Sequence, residues 1–183
     1  MIRRVDRNVR RAARVIRQGG IVAHATEGVF GFACDPRNPD ALTRLLRLKR
    51  RAARKGFILI AAGETQLAPF CPVIPARVHK SWPGPHTWLL QPRPGLSRKI
   101  TGRSDRIAVR VTAHRQAATL CRAAGAPLAS TSANRSNQVP ARTYREAVRR
   151  FSGLVDYVLP GRTGGLRGPT PIADASTGRI IRA

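Results

Sequence analysis

Helical periodicity and short apolar runs alternate along this chain, and that alternation limits the fold more than any other sequence feature. Residues 8–20 carry an apolar stripe at helical spacing and end at a glycine pair, which predicts an amphipathic helix. Residues 21–26 (IVAHAT) form a short apolar run typical of a buried strand. Residues 40–51 and 56–62 repeat this order. We therefore predict an α/β fold: a single domain over residues 1–183 with helices flanking a twisted mixed sheet.

The rest of the chain continues the alternation. Asn38 followed by Pro39 is a typical start for the helix over 40–51, because asparagine caps helix N-termini and proline suits the first helical position. Further helices are predicted within residues 64–70, 75–85, 114–125 and 143–151, and further strands over 86–92, 106–112 and 127–131. From Tyr157 onward we predict short strands and a hairpin.

Several common kinds of site are missing from the sequence. No stretch approaches the ~18 apolar residues of a membrane span, and no phosphate loop, dinucleotide loop, H-E-x-x-H or G-x-S-x-G motif occurs. Cys34, Cys71 and Cys121 are scattered and lack C-x-x-C spacing. No apolar segment of a signal peptide follows the basic N-terminus. We expect a cytoplasmic protein with no membrane segment, no protein-held metal and no covalent nucleophile.

The net charge is strongly positive. Lys and Arg together number 34 against 9 Asp and Glu, which gives +25, and most of these cations are arginines. Arginine suits planar, bidentate recognition of phosphate, so a nucleic acid or a polyphosphate is one natural partner. The alternative is biased arginine usage over a solvated surface. The net charge alone does not decide between these two interpretations. Both interpretations also apply to the N-terminal arginines, which include Arg3 and Arg4.

Two polar segments are candidates for a binding site. Hydroxyls and an amide stand at the carboxyl end of the predicted strand over 127–131 and just beyond it, at Ser130, Thr131, Ser132 and Asn134. In open α/β sheets, ligands bind at the carboxyl ends of strands, although the same residues also make ordinary capping turns. The other segment is cationic, with Lys49, Arg51 and Lys55 among its members. Cations there also suit a helix C-terminus.

Taken together, the motifs resemble those of a known family. HATEGVFGFACDP, LLRLKRRAARKGFILIAA, SWPGPHTW, IAVRVTAH, PLASTSANRS and PGRTGG occur in the order and spacing of the YrdC-like threonylcarbamoyl-adenylate synthases. The resemblance extends over essentially the whole chain and is to the short bacterial form. Its K-x-R element is Lys49 and Arg51, and its S-x-N element is Ser132 and Asn134. It implies a twisted α/β sheet with a wide, positively charged concave face.

The resemblance also implies a reaction. L-threonine, bicarbonate and ATP would give L-threonylcarbamoyl-adenylate and pyrophosphate, with Mg²⁺ accompanying ATP and few protein ligands of its own. Because the carbamate oxygen attacks ATP directly, catalysis would be positioning and charge stabilisation. Proteins of the threonylcarbamoyl-transferase complex would then modify adenosine 37 of tRNA. Binding of tRNA or double-stranded RNA is therefore an expected property.

Residue roles follow from matching positions. The resemblance implies ATP contacts for Lys49, Arg51, Lys55, Ser132, Asn134 and Arg182. It implies threonine contacts for Thr26, Arg110 and Ser130, with Arg110 holding the carboxylate in a bidentate way.

The chain departs from the family pattern at several positions: Ala25, where relatives have proline; Gly28, where many have threonine; Ala52, where relatives have proline; and Ile60, where longer forms have histidine. Two alternatives therefore stay open. One is a degenerate paralogue. The other is an RNA-binding or ribosome-maturation factor that uses the same basic face, with phosphate-driven and sequence-blind binding because aromatic residues are only 5%.

Overall fold

The computed structural model describes residues 5–168 and 170–182, so Arg3 and Arg4 lie outside the described part. Within it, nine strands form one mixed sheet. They are β1 (Val22–Ala25), β2 (Phe30–Cys34), β3 (Ile58–Ala61), β4 (Thr87–Leu90), β5 (Ile107–Val111), β6 (Leu128–Ser132), β7 (Tyr157–Val158), β8 (Ile172–Asp174) and β9 (Ile180–Arg182). The helices are α1 (Arg7–Arg17), α2 (Pro39–Lys49), α3 (Ala76–His79), α4 (Arg98–Thr101), α5 (Arg115–Ala124) and α6 (Tyr144–Phe151).

The strands are ordered β7-β1-β2-β6-β3-β5-β4-β8-β9. β6 lies antiparallel between β2 and β3, and β3 pairs with β5 in parallel. The predicted α/β fold with a mixed sheet is therefore confirmed. In the described ranges, none of the helices combines the length and the apolar character that a bilayer crossing requires.

The two faces of the sheet are covered by different helices. Phe32 on β2 packs with α2 and with α6, where its ring meets Phe151 edge to face at 4.9 Å between centroids. The next residue, Ala33, points to the opposite face, because side chains alternate along a strand. That face buries residues of α1 and α5 together with Ile60 of β3. Burial on both sides explains why β2 is buried along its whole length.

Some predicted helices are shorter in the structure. The stretch predicted over 64–70 contains only a 3₁₀ turn at Glu64–Gln66, and α3 occupies only four residues of the stretch 75–85. Prolines explain both differences, because they interrupt these stretches and remove the backbone donors that a longer helix needs. The cap at Asn38 is confirmed: its side chain accepts hydrogen bonds from the backbone of Asp40 and Ala41.

A tight turn follows α2 and positions the cationic segment. Arg50 ends the helix in the left-handed conformation, with φ of 49°, and a 3₁₀ turn at Ala53–Lys55 follows. Gly56 closes that turn with φ of 54°, and a Cβ there would overlap the carbonyl oxygen of Ile100. Only glycine fits both the backbone angle and the close approach of α4.

We predict that Gly56→Ala lowers the free energy of unfolding by about 2 kcal/mol or more, because it adds backbone strain and a clash at one position. Urea denaturation followed by circular dichroism measures the change. Gly63→Ala is the matched control, since its Cβ would meet nothing within 4 Å and its stability should stay within about 0.5 kcal/mol of the parent. Equal stabilities for both variants would contradict the packing described for Gly56.

Candidate functional site

A cavity of about 150 Å³ lies over the face of the sheet that carries α1 and α5. Strand register places its floor: Gly31 is paired with Ser132, Ile58 with Ser130, and Ile60 with Arg110. Paired residues on neighbouring strands point to the same side. We call this space the arginine cavity. Its wall is formed by Thr26, Gly28, Val29, Gly31, Arg51, Ile58, Ile60, Arg110, Ser130, Thr131, Ser132, Gly168, Thr170 and Arg182.

Most of the predicted site residues meet in this cavity. Six of them contribute to its wall: Thr26, Arg51, Arg110, Ser130, Ser132 and Arg182. Lys49 and Asn134 lie behind the wall and contact Ser132. Lys55 is exposed on the 3₁₀ turn after α2 and lies outside the wall. The structure therefore brings eight of the nine predicted site residues into one connected cluster and places Lys55 at its edge.

Lys49 joins the two halves of the cluster. Its Nζ donates to the carbonyl oxygen of Ser132 at 2.7 Å, to the Ser132 hydroxyl at 3.0 Å and to Oδ1 of Asn134. The Ser132 hydroxyl also donates to Asn134 Oδ1, at 2.7 Å, and Asn134 Nδ2 donates to the carbonyls of Arg135 and Gln138. Lys49 of the K-x-R element and both residues of the S-x-N element therefore form one hydrogen-bonded unit that fixes the loop after β6.

Lys49 is 3% exposed, although its head group faces a polar cluster. Burial, and secondarily the charge of Arg51, lower the pKa of Lys49 to about 8. Three acceptors around Nζ match the three donors of an ammonium group. Lys49 is therefore a structural cation behind the cavity whose proton is more easily lost than that of an ordinary lysine.

Three guanidinium groups face the arginine cavity. Arg51 donates to the carbonyls of Gly56 at 2.9 Å and Lys55 at 3.2 Å, and exposed Arg182 donates to the carbonyl of Thr170 at 2.8 Å. Burial, followed by the charge of Arg182, lowers the pKa of Arg51. Because arginine stays protonated in proteins, an anion between the guanidinium groups would relieve this repulsion.

Arg110 differs from the other two because it is buried and has an acidic neighbour. Burial is the main cause that lowers its pKa, and Glu27 acts in the opposite direction. Its Nη1 donates to the hydroxyl of Thr170 at 2.7 Å, and its Nη2 lies 3.2 Å from Oε2 of Glu27. This ion pair lacks hydrogen-bond geometry. Within the described residues, Arg110 Nε and Glu27 Oε2 are both left without a hydrogen-bond partner.

Two polar residues that contact Arg110 were not predicted from the sequence. Glu27 had no predicted role. Thr170 lies 60 residues from Arg110 along the chain. No local signal indicated either contact. Thr26, for which a threonine contact is predicted, lies in the wall of the arginine cavity, and its hydroxyl also closes the turn before β2 by donating to the carbonyl of Val29 at 2.7 Å.

The structure shows what the small size of Gly28 permits. A Cβ at this position would lie 2.9 Å from the carbonyl oxygen of Gly168 and 3.0 Å from that of Leu166. The segment 166–168 therefore packs directly on Gly28. A larger residue there requires this segment to move.

Comparison with known proteins identifies relatives along nearly the whole chain. The family model Sua5/YciO/YrdC, described as telomere recombination, matches residues 14–183. A threonylcarbamoyl-AMP synthase of Halorhodospira halophila is 51% identical over 178 residues, covering 95% of this chain and 93% of that protein. One of Nitrosococcus oceani is 49% identical over 178 residues, covering 95% and 96%.

Solved structures share the fold. Sua5 of P. abyssi in complex with L-threonine superposes with a TM-score of 0.87 at 29% identity, covering 94% of this chain and 52% of that one. The present chain thus spans about half the length of that protein. YciO of E. coli gives a TM-score of 0.82 at 23% identity, covering 96% and 88%, and this second likeness concerns the fold alone.

The lowered pKa of Lys49 predicts a dependence of stability on pH. The pKa of Lys49 is about 8 in the folded protein and has its ordinary value of 10.5 in the unfolded chain, so between these values the unfolded chain binds more protons. The free energy of unfolding of the parent should therefore rise with pH, relative to Lys49→Met, from about pH 8 to 10.5. Denaturant titrations across this range measure it. Lys80→Met, at an exposed position, is the control, and its free energy of unfolding should change with pH as that of the parent does. The same pH dependence in Lys49→Met as in the parent would contradict the prediction.

Proposed function

The chain belongs to the Sua5/YciO/YrdC family, and from that premise we infer that it is an enzyme, a threonylcarbamoyl-AMP synthase like its curated relatives. The reaction that we propose joins L-threonine, bicarbonate and ATP into threonylcarbamoyl-AMP and releases pyrophosphate. One observation carries this proposal: the guanidinium groups of Arg51, Arg110 and Arg182 line one cavity whose floor carries serine and threonine hydroxyls. Such a wall suits an amino-acid carboxylate beside a chain of phosphates.

ATP would occupy the side of the cavity formed by Arg51 and Arg182. Both groups are held by backbone carbonyls, which leaves their remaining N–H donors for phosphate oxygens. Ser132 would add a hydroxyl, with Lys49 and Asn134 fixing its position. Lys55 is exposed on the turn whose backbone accepts a hydrogen bond from Arg51. We propose that it contacts the phosphates from the solvent side.

L-threonine would occupy the side formed by Arg110. We propose that its carboxylate binds this guanidinium, whose unpartnered Nε offers a donor. Thr26 and Ser130 stand on the adjoining wall, and their side chains would contact the rest of the amino acid. Sua5 of P. abyssi, a solved relative, forms a complex with L-threonine, which supports this amino acid as the ligand.

The chemistry needs no covalent attachment to the protein. The uncharged amine of threonine attacks carbon dioxide derived from bicarbonate and loses a proton, which gives a carbamate. A carbamate oxygen then bonds to the α-phosphorus of ATP while the bond to the bridging oxygen breaks and pyrophosphate leaves. The arginines would hold the reactants in place and balance the negative charge that develops on the phosphates.

Magnesium is expected to accompany ATP. Among the described residues, no group of three or more His, Cys, Asp or Glu side chains is placed to hold a metal ion, and the wall of the arginine cavity includes no carboxylate. These residues fit an Mg²⁺ ion that is carried by the phosphates and by water. The ion would supply further neutralisation of phosphate charge.

We further propose that tRNA and the proteins that use the adenylate are partners, and that the protein works in the cytoplasm. Exposed arginines along α1, namely Arg7, Arg10, Arg11, Arg14 and Arg17, support contact with RNA phosphates. The same feature favours the second candidate function, an RNA-binding factor. The three cysteines are free and buried, which suits a reducing compartment.

The synthase proposal predicts that pyrophosphate release from ATP requires both L-threonine and bicarbonate. Each is a reactant whose product attacks the α-phosphorus, so omission of either should reduce the rate to background. A coupled pyrophosphate assay with the purified protein measures it, with chromatography to identify the adenylate. Equal ATP turnover without threonine would point to a different enzyme, and no turnover with all three substrates would favour the RNA-binding factor.

The assignment of Arg110 predicts that Arg110→Ala raises the KM for L-threonine far more than that for ATP. Loss of a charge-assisted bidentate contact costs roughly 2–3 kcal/mol, or about 30- to 150-fold in affinity. Steady-state kinetics with each substrate varied in turn measure the effect. Arg182→Ala is the matched control and should affect ATP more than threonine. An unchanged threonine dependence in Arg110→Ala would show that Arg110 serves the fold alone.

A further inference from the structure

The three arginines of the cavity differ in how their charge is balanced. The contacts of Arg51 and Arg182 are backbone carbonyls, which leave a full positive charge on each. Arg110 alone among them has a carboxylate within salt-bridge distance in the described structure, that of Glu27. In a chain with 34 Lys and Arg against 9 Asp and Glu, a buried acid at this position is a notable exception to the charge balance.

We propose that Glu27 is a specificity-determining residue: by neutralising Arg110 it reserves that end of the arginine cavity for a single carboxylate and keeps phosphate groups at Arg51 and Arg182. The inference rests on the proposed function in one respect, namely that an amino acid and a polyphosphate share this cavity. It assigns a role to a residue that stands outside the cavity wall.

The position of Glu27 fits such a role. It lies behind Arg110 and contributes instead to the wall of a second cavity, of about 530 Å³, beside His114. Its Oε1 accepts a hydrogen bond from the Thr112 hydroxyl at 2.5 Å, and its backbone carbonyl accepts one from Leu166 at 2.9 Å. A Cβ on Gly164 would lie 3.0 Å from that same carbonyl. Glu27 is therefore fixed behind the guanidinium and lies outside the wall of the arginine cavity.

Electrostatics explains why this neutralisation selects between ligands. The pair of guanidinium and carboxylate has little net charge as a whole. It therefore binds a further carboxylate mainly through directed hydrogen bonds from the N–H groups of the guanidinium. A buried guanidinium without a counter-charge instead attracts the most highly charged anion available, since charges interact strongly where water is scarce. With three uncompensated arginines in about 150 Å³, phosphates would compete with the carboxylate of threonine.

Pyrophosphate is the probe for the experiment. Calorimetric titration without ATP or threonine gives its affinity for the parent protein and for Glu27→Gln, which keeps the shape of the side chain and removes its charge. We expect Glu27→Gln to bind pyrophosphate about tenfold more tightly, a change of about 1.4 kcal/mol. In the synthase assay, pyrophosphate should become a competitor of L-threonine in this variant but not in the parent. Glu27→Asp, which keeps the charge, should behave as the parent in both measurements.

Two controls separate local from general effects. Asp40→Asn removes one negative charge at an exposed position and should leave pyrophosphate binding within twofold of the parent. The double variant Glu27→Gln/Arg110→Gln removes the ion pair as a unit and should also bind pyrophosphate like the parent. This double variant also tests the proposal if Glu27→Gln alone does not fold. If it binds pyrophosphate tenfold more weakly than the parent, Arg110 already binds phosphate in the parent, which contradicts the proposal.

The proposal is overturned by three results: unchanged pyrophosphate affinity in Glu27→Gln, equal tightening in Asp40→Asn, or tenfold weaker binding in the double variant. Failure of the proposed function is a separate outcome. It would appear as absence of threonine-dependent pyrophosphate release in the parent, whereas the titrations measure anion binding without turnover.

Discussion

The hydrogen bonds from Lys49 to Ser132 and Asn134 are the interaction on which the site depends. They join the end of α2 to the loop after β6, across 83 and 85 residues of sequence. Burying an ammonium group is costly unless all its donors are used, and here each has an acceptor. The hydroxyl of Ser136, in the same loop, adds a second link by donating to the carbonyl oxygen of Lys49 at 3.1 Å. Together these contacts hold the hydroxyls after β6 and the turn that carries Arg51 in a common geometry.

The sequence predicted much of this arrangement, since local signals exist for it. Asn38 and Pro39 indicated the start of α2, and the polar residues after the strand at 127–131 indicated the floor of the cavity. The contacts of Glu27 and Thr170 could not be predicted in the same way, because they arise from the order of the strands. Periodicity identifies a strand but carries no information about its neighbour in the sheet, so the placement of β6 between β2 and β3 had to come from the structure.

Charge in this molecule has at least two different uses. Along α1 the arginines are exposed and share no cavity, so their effect is a diffuse field that salt screens. In the arginine cavity, Arg51, Arg110 and Arg182 act at short range on whatever enters. A net charge of +25 therefore does not tell a diffuse surface charge from a short-range binding site. The burial and the neighbours of each guanidinium group make that distinction.

The backbone contacts of Arg51 and Arg182 have a consequence for how this protein tolerates sequence change. Both guanidinium groups are oriented by carbonyl oxygens of residues 55, 56 and 170, which every amino acid possesses. Residues 55 and 170 can therefore be substituted without reorienting these two arginines, provided that the main chain keeps its conformation. The orientation of Arg51 and Arg182 is encoded in chain geometry more than in residue identity, so insertions and deletions in these turns should be more harmful than substitutions.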